Sequence, residues 1–373
     1  MRHHQRTTGR LSGHILFAAV LTATCALIPA AQAQDFDAAK VTVGGHFDVQ
    51  SVVSDNTLSS HEFRIGQLGL TVSSEFTRKI TAGVEVAYDL NDQIVVDEAF
   101  IDWTFFHRQR RFVRPQTGGL LHVGLKVGRF DVPFGIDWKD YSSFDRPLIT
   151  MPLVVINTHR GWNDIGGVFF GSTTWCNWSV WVVNAFGQSP ALRCVDRDWV
   201  PPQPPQDALT WRSPAFTNLE SPVDEAFGLR TAIVISEVFE FGTSFAAGST
   251  ENNVQDEKLI GFDFVAAYQG FEFKTEFIRQ ERFRTTNDEK IVYGYYLQTL
   301  YGNDRFFGVT RLDAYEPDDS EIYPLGITTD ETIFCGSFGA GFKATPQTQI
   351  RAEYRLSEGS HNDRLVVQAV VGF

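Results

Sequence analysis

Charged side chains recur at every second position of several predicted strands, and their chemistry is the first clue to what this chain does. Between residues 347 and 357, Arg351, Glu353 and Arg355 fall on one face of a predicted strand, opposite a face that is apolar. Charges of this kind are costly in a packed core but cost little beside water. The pattern therefore predicts a water-filled interior in which fixed charges attract or repel small ions.

The predicted interior carries both signs of charge, with an excess of acid. The inward-facing cations are Lys126, Arg230, Lys274, Arg311, Arg351 and Arg355. The inward-facing carboxylates are Asp48, Glu85, Glu98, Asp102, Asp263, Glu272, Glu276, Asp313 and Glu353. Opposite charges that lie close together would produce a transverse field, which filters solutes by polarity and size. The acidic excess indicates a weak preference for cations.

No pattern in the sequence points to catalysis, a cofactor or a metal. The nine histidines lie in no recognisable nucleophile–base motif, so an enzyme built on this fold is not favoured. We also find no Walker sequence, dinucleotide fingerprint or metal-spaced His/Cys cluster. The net charge of −13 argues against nucleic acid as a partner, because nucleic-acid binding calls for a basic surface.

The first 33 residues have the form of a secretory signal peptide. A basic start precedes the apolar run 15–30, and Ala31-Gln32-Ala33 supplies a small-x-small cleavage site. A retained membrane helix is the alternative, but the apolar run is short for one. Cys25 lacks the small preceding residue of a lipoprotein signal. We therefore expect export, cleavage after Ala33, and a mature chain 34–373 that forms a single domain.

Alternating runs bounded by Gly, Pro, Asn and Asp predict sixteen strands in the mature chain. Their predicted ranges are 41–53, 61–74, 79–90, 95–106, 119–129, 163–173, 178–187, 224–235, 238–249, 258–268, 270–281, 290–301, 304–315, 331–344, 347–357 and 363–373. Most are longer than the strands of soluble proteins and close to the length that a tilted strand needs to span a bilayer. The pattern indicates a membrane-spanning sheet.

The connections between these strands alternate in length. Those after even-numbered strands are mostly tight turns, whereas those after odd-numbered strands include the long segments 130–162, 188–223, 250–257 and 316–330. This alternation is typical of a transmembrane antiparallel β-barrel with short periplasmic turns and long extracellular loops. The basic connection 107–118 is an exception to the rule. We predict an all-β barrel, with aromatic residues such as Trp103, Phe105, Phe106, Tyr268, Tyr301 and Phe373 near the strand ends.

The last strand resembles the closing strand of a bacterial outer-membrane barrel. Its alternate residues from Leu365 to Phe373 form one apolar face, and the chain ends on that aromatic residue. The resemblance implies that the Phe373 strand is recognised by the barrel-assembly machinery, and that outer-membrane lipid surrounds the folded protein.

Two segments extend this resemblance to a family. Val96-Asp-Glu-Ala-Phe-Ile-Asp-Trp103 is followed by Leu125-Lys-Val-Gly-Arg-Phe-Asp-Val-Pro-Phe-Gly135. Together they resemble the phosphate-selective porin O/P group and its general-porin relatives, most clearly over residues 95–153. The resemblance implies a barrel, commonly trimeric, through which small hydrophilic solutes or ions diffuse passively. Phosphate selection itself is not expected, because it calls for an excess of Arg and Lys along the path.

In this family plan the loop 130–162 folds inward and constricts the channel. Pro133 and Gly135 suit a chain that leaves the wall, and the apolar run 147–156 favours packing against protein. The alternative is an external loop whose charges lie in solvent. The pore-lining or constriction candidates are Glu85, Glu98, Asp102, Lys126, Arg129, Asp137, Lys139, Asp140, Asp145, Arg146, Lys274, Arg311, Arg351 and Arg355.

A non-conducting barrel that acts as an adhesin or a structural protein is the second hypothesis. The loop 188–223 contains the run Pro201-Pro-Gln-Pro-Pro205 and would offer a stiff binding surface. The predicted topology also places Cys176 in a periplasmic turn and Cys194 in an extracellular loop. A disulfide between them is excluded by that topology, because the two Cα atoms would have to lie within about 7 Å of one another.

Overall fold

The computed structural model describes most of the chain beyond the leader. The described residues are 40–54, 60–88, 94–109, 119–140, 142–159, 161–184, 186, 225–236, 238–249, 255–284, 289–316, 332–357 and 363–373. The leader 1–33, Cys194 and the loop 188–223 lie outside them. Signal-peptide cleavage and the predicted disulfide exclusion therefore stay predictions.

Sixteen antiparallel strands within the described residues form one closed barrel. In chain order they are β1 Lys40–Ser54, β2 Ser60–Thr77, β3 Ile80–Tyr88, β4 Ile94–Gln109, β5 Gly119–Asp131, β6 Asn163–Thr173, β7 Cys176–Val183, β8 Ala226–Ile235, β9 Phe239–Ser249, β10 Gln255–Tyr268, β11 Phe271–Arg284, β12 Glu289–Gly302, β13 Phe306–Glu316, β14 Ile333–Thr345, β15 Thr348–Ser357 and β16 Arg364–Gly372. Each strand pairs with its neighbours in sequence, and β1 pairs with β16. The predicted fold class is confirmed.

Side chains alternate along each strand between the outer face of the barrel and its interior. In β16, Leu365 and Val367 are exposed on the outer face, whereas Val366 and Gln368 are buried inside. The same alternation runs through β15, where the outer residues Ile350 and Tyr354 are exposed. Because exposed apolar side chains cover the outside, this surface suits lipid rather than water.

Tight turns follow the even-numbered strands other than β4, in accord with the predicted rhythm and its exception. Strand β4 continues to Gln109, so the predicted connection 107–118 begins at residue 110, and residues 110–118 lie outside the described part of the chain. The turn between β10 and β11 consists of Gln269 and Gly270, with φ of 47° and 81°. Positive φ at both positions is the geometry of a type I′ turn, whose twist matches that of the flanking strands. Cys176 is the first residue of β7, next to such a turn rather than within it. No helix among the described residues is both long and apolar enough to cross a bilayer.

Aromatic side chains are exposed at the end of the barrel that carries the tight turns. Trp103, Phe106, Tyr268, Tyr301 and Phe373 are all exposed there, whereas Phe105 is half-buried. The carboxy-terminal Phe373 also closes the barrel, because its backbone N–H and C=O both bond to Gly45 of β1 at 2.9 Å. The terminal residue therefore lies at the seam where the first and last strands meet.

The connection between β5 and β6 lies inside the barrel. It contains a 3₁₀ turn, Asp137–Asp140, and one short helix, α1, Leu153–Thr158. Four consecutive residues of α1, from Leu153 to Ile156, are at most 1% exposed. The predicted loop 130–162 begins two residues later than expected, since β5 continues to Asp131.

Candidate functional site

The loop, residues 132–162, leaves β5 at a sharp turn. The backbone N–H of Val132 donates to the C=O of Trp162 at 2.8 Å, which holds the two ends of the loop together. Gly135 follows with φ of 63°, a left-handed conformation that favours glycine. A Cβ at Gly135 would also collide with the Glu276 carboxylate of β11. Glycine is therefore required where the loop passes closest to the wall.

The first half of the loop is anchored on β8, β9 and β11. The N–H of Gly135 donates to Ser244 Oγ at 3.0 Å, and the N–H of Ile136 donates to Glu276 Oε1 at 3.3 Å. Arg230 Nε donates to the Gly135 carbonyl at 2.6 Å. These bonds satisfy backbone groups that would otherwise be unpaired within the protein.

A network of charges strengthens the same attachment. Lys139 Nζ lies 3.1 Å from Glu240 Oε1, and Arg230 Nη2 lies 3.0 Å from that same oxygen. Arg230 also pairs with Asp263 at 2.8 Å. Burial and the neighbouring Arg230 charge lower the pKa of Lys139 below its ordinary value.

The tip of the loop reaches the opposite wall. The N–H of Ser143 donates to Gln67 Oε1 of β2 at 2.6 Å, and Arg351 of β15 donates to the carbonyls of Ser143 and Arg146. Phe144 lies against Gly372 of β16. Because β2, β15 and β16 lie across the ring from β8, β9 and β11, the segment that joins these two sets of contacts crosses the lumen.

The loop then returns along the wall from β15 through β13 to β11. Glu353 of β15 accepts from the N–H groups of Ile149 and Thr150, at 2.6 and 2.9 Å, and from the Thr150 hydroxyl. On β13, Asp313 Oδ1 accepts from the Leu153 N–H at 3.0 Å. Arg311 donates to the carbonyls of Thr150 and Met151 at 2.8 and 3.0 Å.

Apolar side chains fill the space between this returning chain and the wall. The loop contributes Val132, Phe134, Ile136, Met151, Leu153, Val154, Val155, Ile156 and Trp162 to one buried cluster. The wall contributes inward-facing residues that include Trp181, Leu259, Ile278, Val292 and Tyr315. Since each fully buried large apolar side chain contributes roughly 1.5–3 kcal/mol, the cluster holds the loop firmly. The loop and this cluster therefore cover the inward face of the wall from β6 to β14.

The wall formed by β3, β4 and β5 keeps charged residues that are only partly buried. Glu85 lies opposite Glu98 in the strand pairing, and Asp102 lies opposite Lys126. Lys126 Nζ lies 4.2 Å from the centroid of the Phe100 ring, which also faces inward. Among these four residues the carboxylates Glu85, Glu98 and Asp102 outnumber the single ammonium group of Lys126, so this group of side chains is acidic.

Polar links hold the base of the loop beside this wall. Arg129 Nε donates to Asn163 Oδ1 at 2.9 Å, and Asn163 Nδ2 donates to Asp131 Oδ1 at 2.9 Å. Within the loop, Asp137 and Arg146 form an ion pair at 3.1 Å that joins the start of the crossing segment to its end. Both partners are nearly buried, so this pair is less screened by solvent than a surface pair.

The remaining sequence-derived candidates occupy three different environments. Arg311, Arg351 and Arg355 are at most 2% exposed, which differs from the expected water-facing lining. Arg311 and Arg351 are covered because they bind carbonyls of the loop, whereas Arg355 donates to Cys335 of β14. Lys274 pairs with Glu272 at 3.1 Å near the tight-turn end of β11. Asp145 is exposed on the loop, and the side chain of Asp140 lies outside the described residues.

Sequence reasoning missed several residues that position the loop. Gln67, Glu240 and Ser244 were not candidates, although each binds a loop atom directly. Alternation along β9 does put Glu240 and Ser244 on the inward face. Their role depends on contacts with residues about one hundred positions away, which local patterns do not reveal.

No protein-family model and no curated protein matches this chain. Solved structures do match it. The anion-selective porin from Comamonas acidovorans aligns over 90% of this chain and all of its own, at 10% identity and a TM-score of 0.60. The trimer form of OmpT, an outer-membrane protein of Vibrio cholerae, covers the same shares at 9% identity and 0.59. The OmpF complex with daunomycin from Salmonella typhi aligns over 90% and 98%, at 9% identity and 0.59.

The chain has a porin-type fold. At these identities the similarity supports the architecture alone, namely an outer-membrane-type β-barrel. Selectivity has to be inferred from the residues of this chain. Because a shared fold does not fix function, the function of this barrel has to be inferred from its own loop and its own charged wall.

Proposed function

We propose that this chain is an outer-membrane porin that lets small hydrophilic solutes or ions diffuse passively. The observation that carries the proposal is the loop that crosses the lumen and packs against one half of the barrel. The path then runs beside β3, β4 and β5, with the crossing segment 135–146 as its other boundary. The loop is the proposed constriction, because it occupies the part of the lumen beside β6 to β14 and leaves a narrower path.

The charges beside this path favour cations weakly. Glu85, Glu98 and Asp102 are accompanied by Lys126, whereas Arg311 and Arg351 are covered by the loop and contribute little to the field in the water. The anion selectivity in the name of the Comamonas structure is therefore not carried over to this chain. The phosphate preference of the O/P group is not proposed either.

The site supports passage rather than catalysis. Its charged groups lie along a wall with an excess of carboxylates, and this arrangement supplies a field instead of an activated nucleophile. We also propose a homotrimer in the outer membrane, in line with the trimer form of the Vibrio structure. Outer-membrane lipid would contact the apolar outer face, and the barrel-assembly machinery would recognise the Phe373 strand.

A non-conducting barrel is the second candidate, and one observation favours it. The buried loop already occupies the part of the lumen beside β6 to β14, so a further contribution from the extracellular loops would close the path. Such a barrel would serve as an adhesin or a structural protein.

Single-channel recording in planar bilayers distinguishes the two functions. The mature protein, refolded in detergent, is expected to give stepwise openings, and its reversal potential in a KCl gradient is expected to show weak selectivity for K⁺. Circular dichroism on the same sample checks that the barrel is folded. A folded protein without openings would contradict the porin and favour the non-conducting barrel.

A further inference from the structure

The ammonium group of Lys126 lies on an aromatic ring of the wall formed by β3, β4 and β5. Its Nζ atom is 4.2 Å from the centroid of the Phe100 ring, within the range of a cation–π contact. Glu98 and Asp102 flank Phe100 on the inward face of β4, yet neither forms an ion pair with Lys126 in the part of the chain that the structure describes. The ring is therefore the partner that the structure gives this ammonium group.

The strand register brings Lys126 and Phe100 together. Lys126 of β5 pairs directly with Asp102 of β4, so Phe100 lies two residues further along β4 on the same inward face. Diagonal neighbours of this kind lie about 7–8 Å apart, which is within reach of a long side chain and an aromatic one. The Lys126 side chain therefore reaches across the pair of strands to the ring.

Glycines on both sides of Phe100 leave space for its ring against the wall. Phe100 pairs with Gly83 of β3 and with Gly128 of β5, so neither neighbour in its row carries a side chain. A Cβ atom at Gly83 would lie 2.9 Å from Cζ of the ring, too close for the ring to stay in place. Gly83 is buried beneath the ring, whereas Phe100 itself is half-buried. The position of the ring therefore depends on Gly83.

The position of the ammonium group affects the charge that a passing ion meets. An ammonium group held on the ring neither extends into the path nor pairs with Asp102. Lysine has a flexible four-carbon stem, so without the ring the same group would extend into the water or bind a carboxylate. Either change would reduce the attraction of this wall for cations.

We propose that Phe100 and Gly83 determine the ion selectivity of this barrel by holding the Lys126 ammonium group against the wall. Phe100 is a positioning residue, because it acts on passing ions through Lys126. This inference rests on the proposed channel, and it names a determinant of selectivity that carries no charge of its own.

A second inward-facing ring without an ammonium partner supplies the matched control. Phe170 of β6 is half-buried and pairs with Gly124 of β5, where a Cβ atom would lie 2.6 Å from Cζ of the ring. The ring contacts His122 edge-on, with centroids 5.4 Å apart, and no lysine of the described residues lies over it. Phe170→Leu therefore removes a similar ring without removing a contact to Lys126.

The reactivity of Lys126 toward a water-soluble amine reagent measures whether the ring holds the ammonium group. The detergent-folded protein is labelled, and the extent of modification at Lys126 is read by mass spectrometry of its peptides. We expect Phe100→Leu to react about two- to fivefold faster than wild type, the ratio that corresponds to a cation–π contact at a partly exposed site. Phe100→Tyr keeps the ring and is expected to react like wild type, as is Phe170→Leu. Equal rates in wild type and Phe100→Leu would overturn the contact.

The reversal potential in a KCl gradient tests the effect on selectivity. Phe100→Leu is expected to shift it toward the Cl⁻ equilibrium potential, and Phe100→Tyr is expected to restore the wild-type value. The double variant F100L/K126Q is expected to match K126Q alone, because the ring acts only through Lys126. Gly83→Ala displaces the ring without removing it, so it is expected to shift the potential in the same direction as Phe100→Leu.

Gly83→Ala keeps the test readable when Phe100→Leu does not fold, with folding checked by circular dichroism. A wild-type reversal potential in every folded variant of Phe100→Leu and Gly83→Ala would overturn the proposal, as would an equal shift in Phe170→Leu. Labelling does not require conduction, so faster labelling of Phe100→Leu in a protein without openings would contradict the porin and leave the contact supported. Openings with unchanged labelling would overturn the contact and leave the porin supported.

Discussion

Individual charged residues in this barrel either anchor the loop or lie partly exposed on the β3–β5 wall. Arg311 and Glu353 are buried, and each satisfies several loop atoms, so they act as structural anchors. Removing one partner of a buried charged pair costs about 3–5 kcal/mol, because the other charge is left unpaired. Lys126, by contrast, keeps partial exposure beside Asp102 and Glu98. In the proposed channel, ion selectivity is therefore expected to depend on Lys126 more than on the buried arginines.

Lys126→Gln is expected to increase the preference for cations. The substitution removes the ammonium group that balances three carboxylates on the β3–β5 wall, so the field in the water becomes more negative. The reversal potential in a KCl gradient measures the change, with a shift toward the K⁺ equilibrium potential as the expected result. Arg279→Gln is the matched control, because Arg279 is exposed on the outer face and pairs with Glu281 at 2.8 Å. An equal reversal potential in wild type and Lys126→Gln would remove Lys126 from the path.

The loop is the element that gives this barrel its internal shape, and its stability depends on pH. His159 follows α1 and packs edge-on against Phe134 with ring centroids 5.1 Å apart. Burial lowers the pKa of His159 from 6.5 to about 3. The imidazole is therefore neutral in the folded loop, whereas an unfolded chain binds a proton near pH 6.5. Its contribution to stability is complete above pH 6.5 and is lost as the pH falls toward 3.

Acidification is expected to weaken the folded state, in part through His159. Between pH 7 and pH 4 the loss from this residue amounts to about 3 kcal/mol at most, by proton linkage. Thermal unfolding of wild type and His159→Gln at both pH values measures it. The variant is less stable at pH 7 and is expected to lose less on acidification, because Gln takes up no proton. Parallel losses in the two proteins would show that His159 makes no contribution to the pH dependence.

For the whole molecule, local sequence patterns predicted the barrel and a loop 130–162 that folds inward, but not the wall residues to which the loop attaches. The strands follow from alternation and turn residues, both of which act over a few positions, such as Gln269-Gly270 between β10 and β11. The loop attachments join residues far apart, such as Lys139 with Glu240 and Thr150 with Glu353. Inward-facing apolar residues such as Ile278 and Val292 could have indicated where the loop packs, because apolar side chains are not expected to line a water-filled lumen.

Cysteine labelling at two inward-facing positions distinguishes an open path along β3 to β5 from a wall that the loop covers. Thr81 faces inward on β3 and is partly exposed, whereas Val309 faces inward on β13 and is 2% exposed beneath the loop. Thr81→Cys and Val309→Cys would be made separately in a background with serine at the native cysteines, and single channels would be recorded while a negatively charged thiol reagent is added. We expect conductance to fall for Thr81→Cys and to stay unchanged for Val309→Cys. A fall at Val309→Cys, or no effect at Thr81→Cys, would contradict the path along β3 to β5.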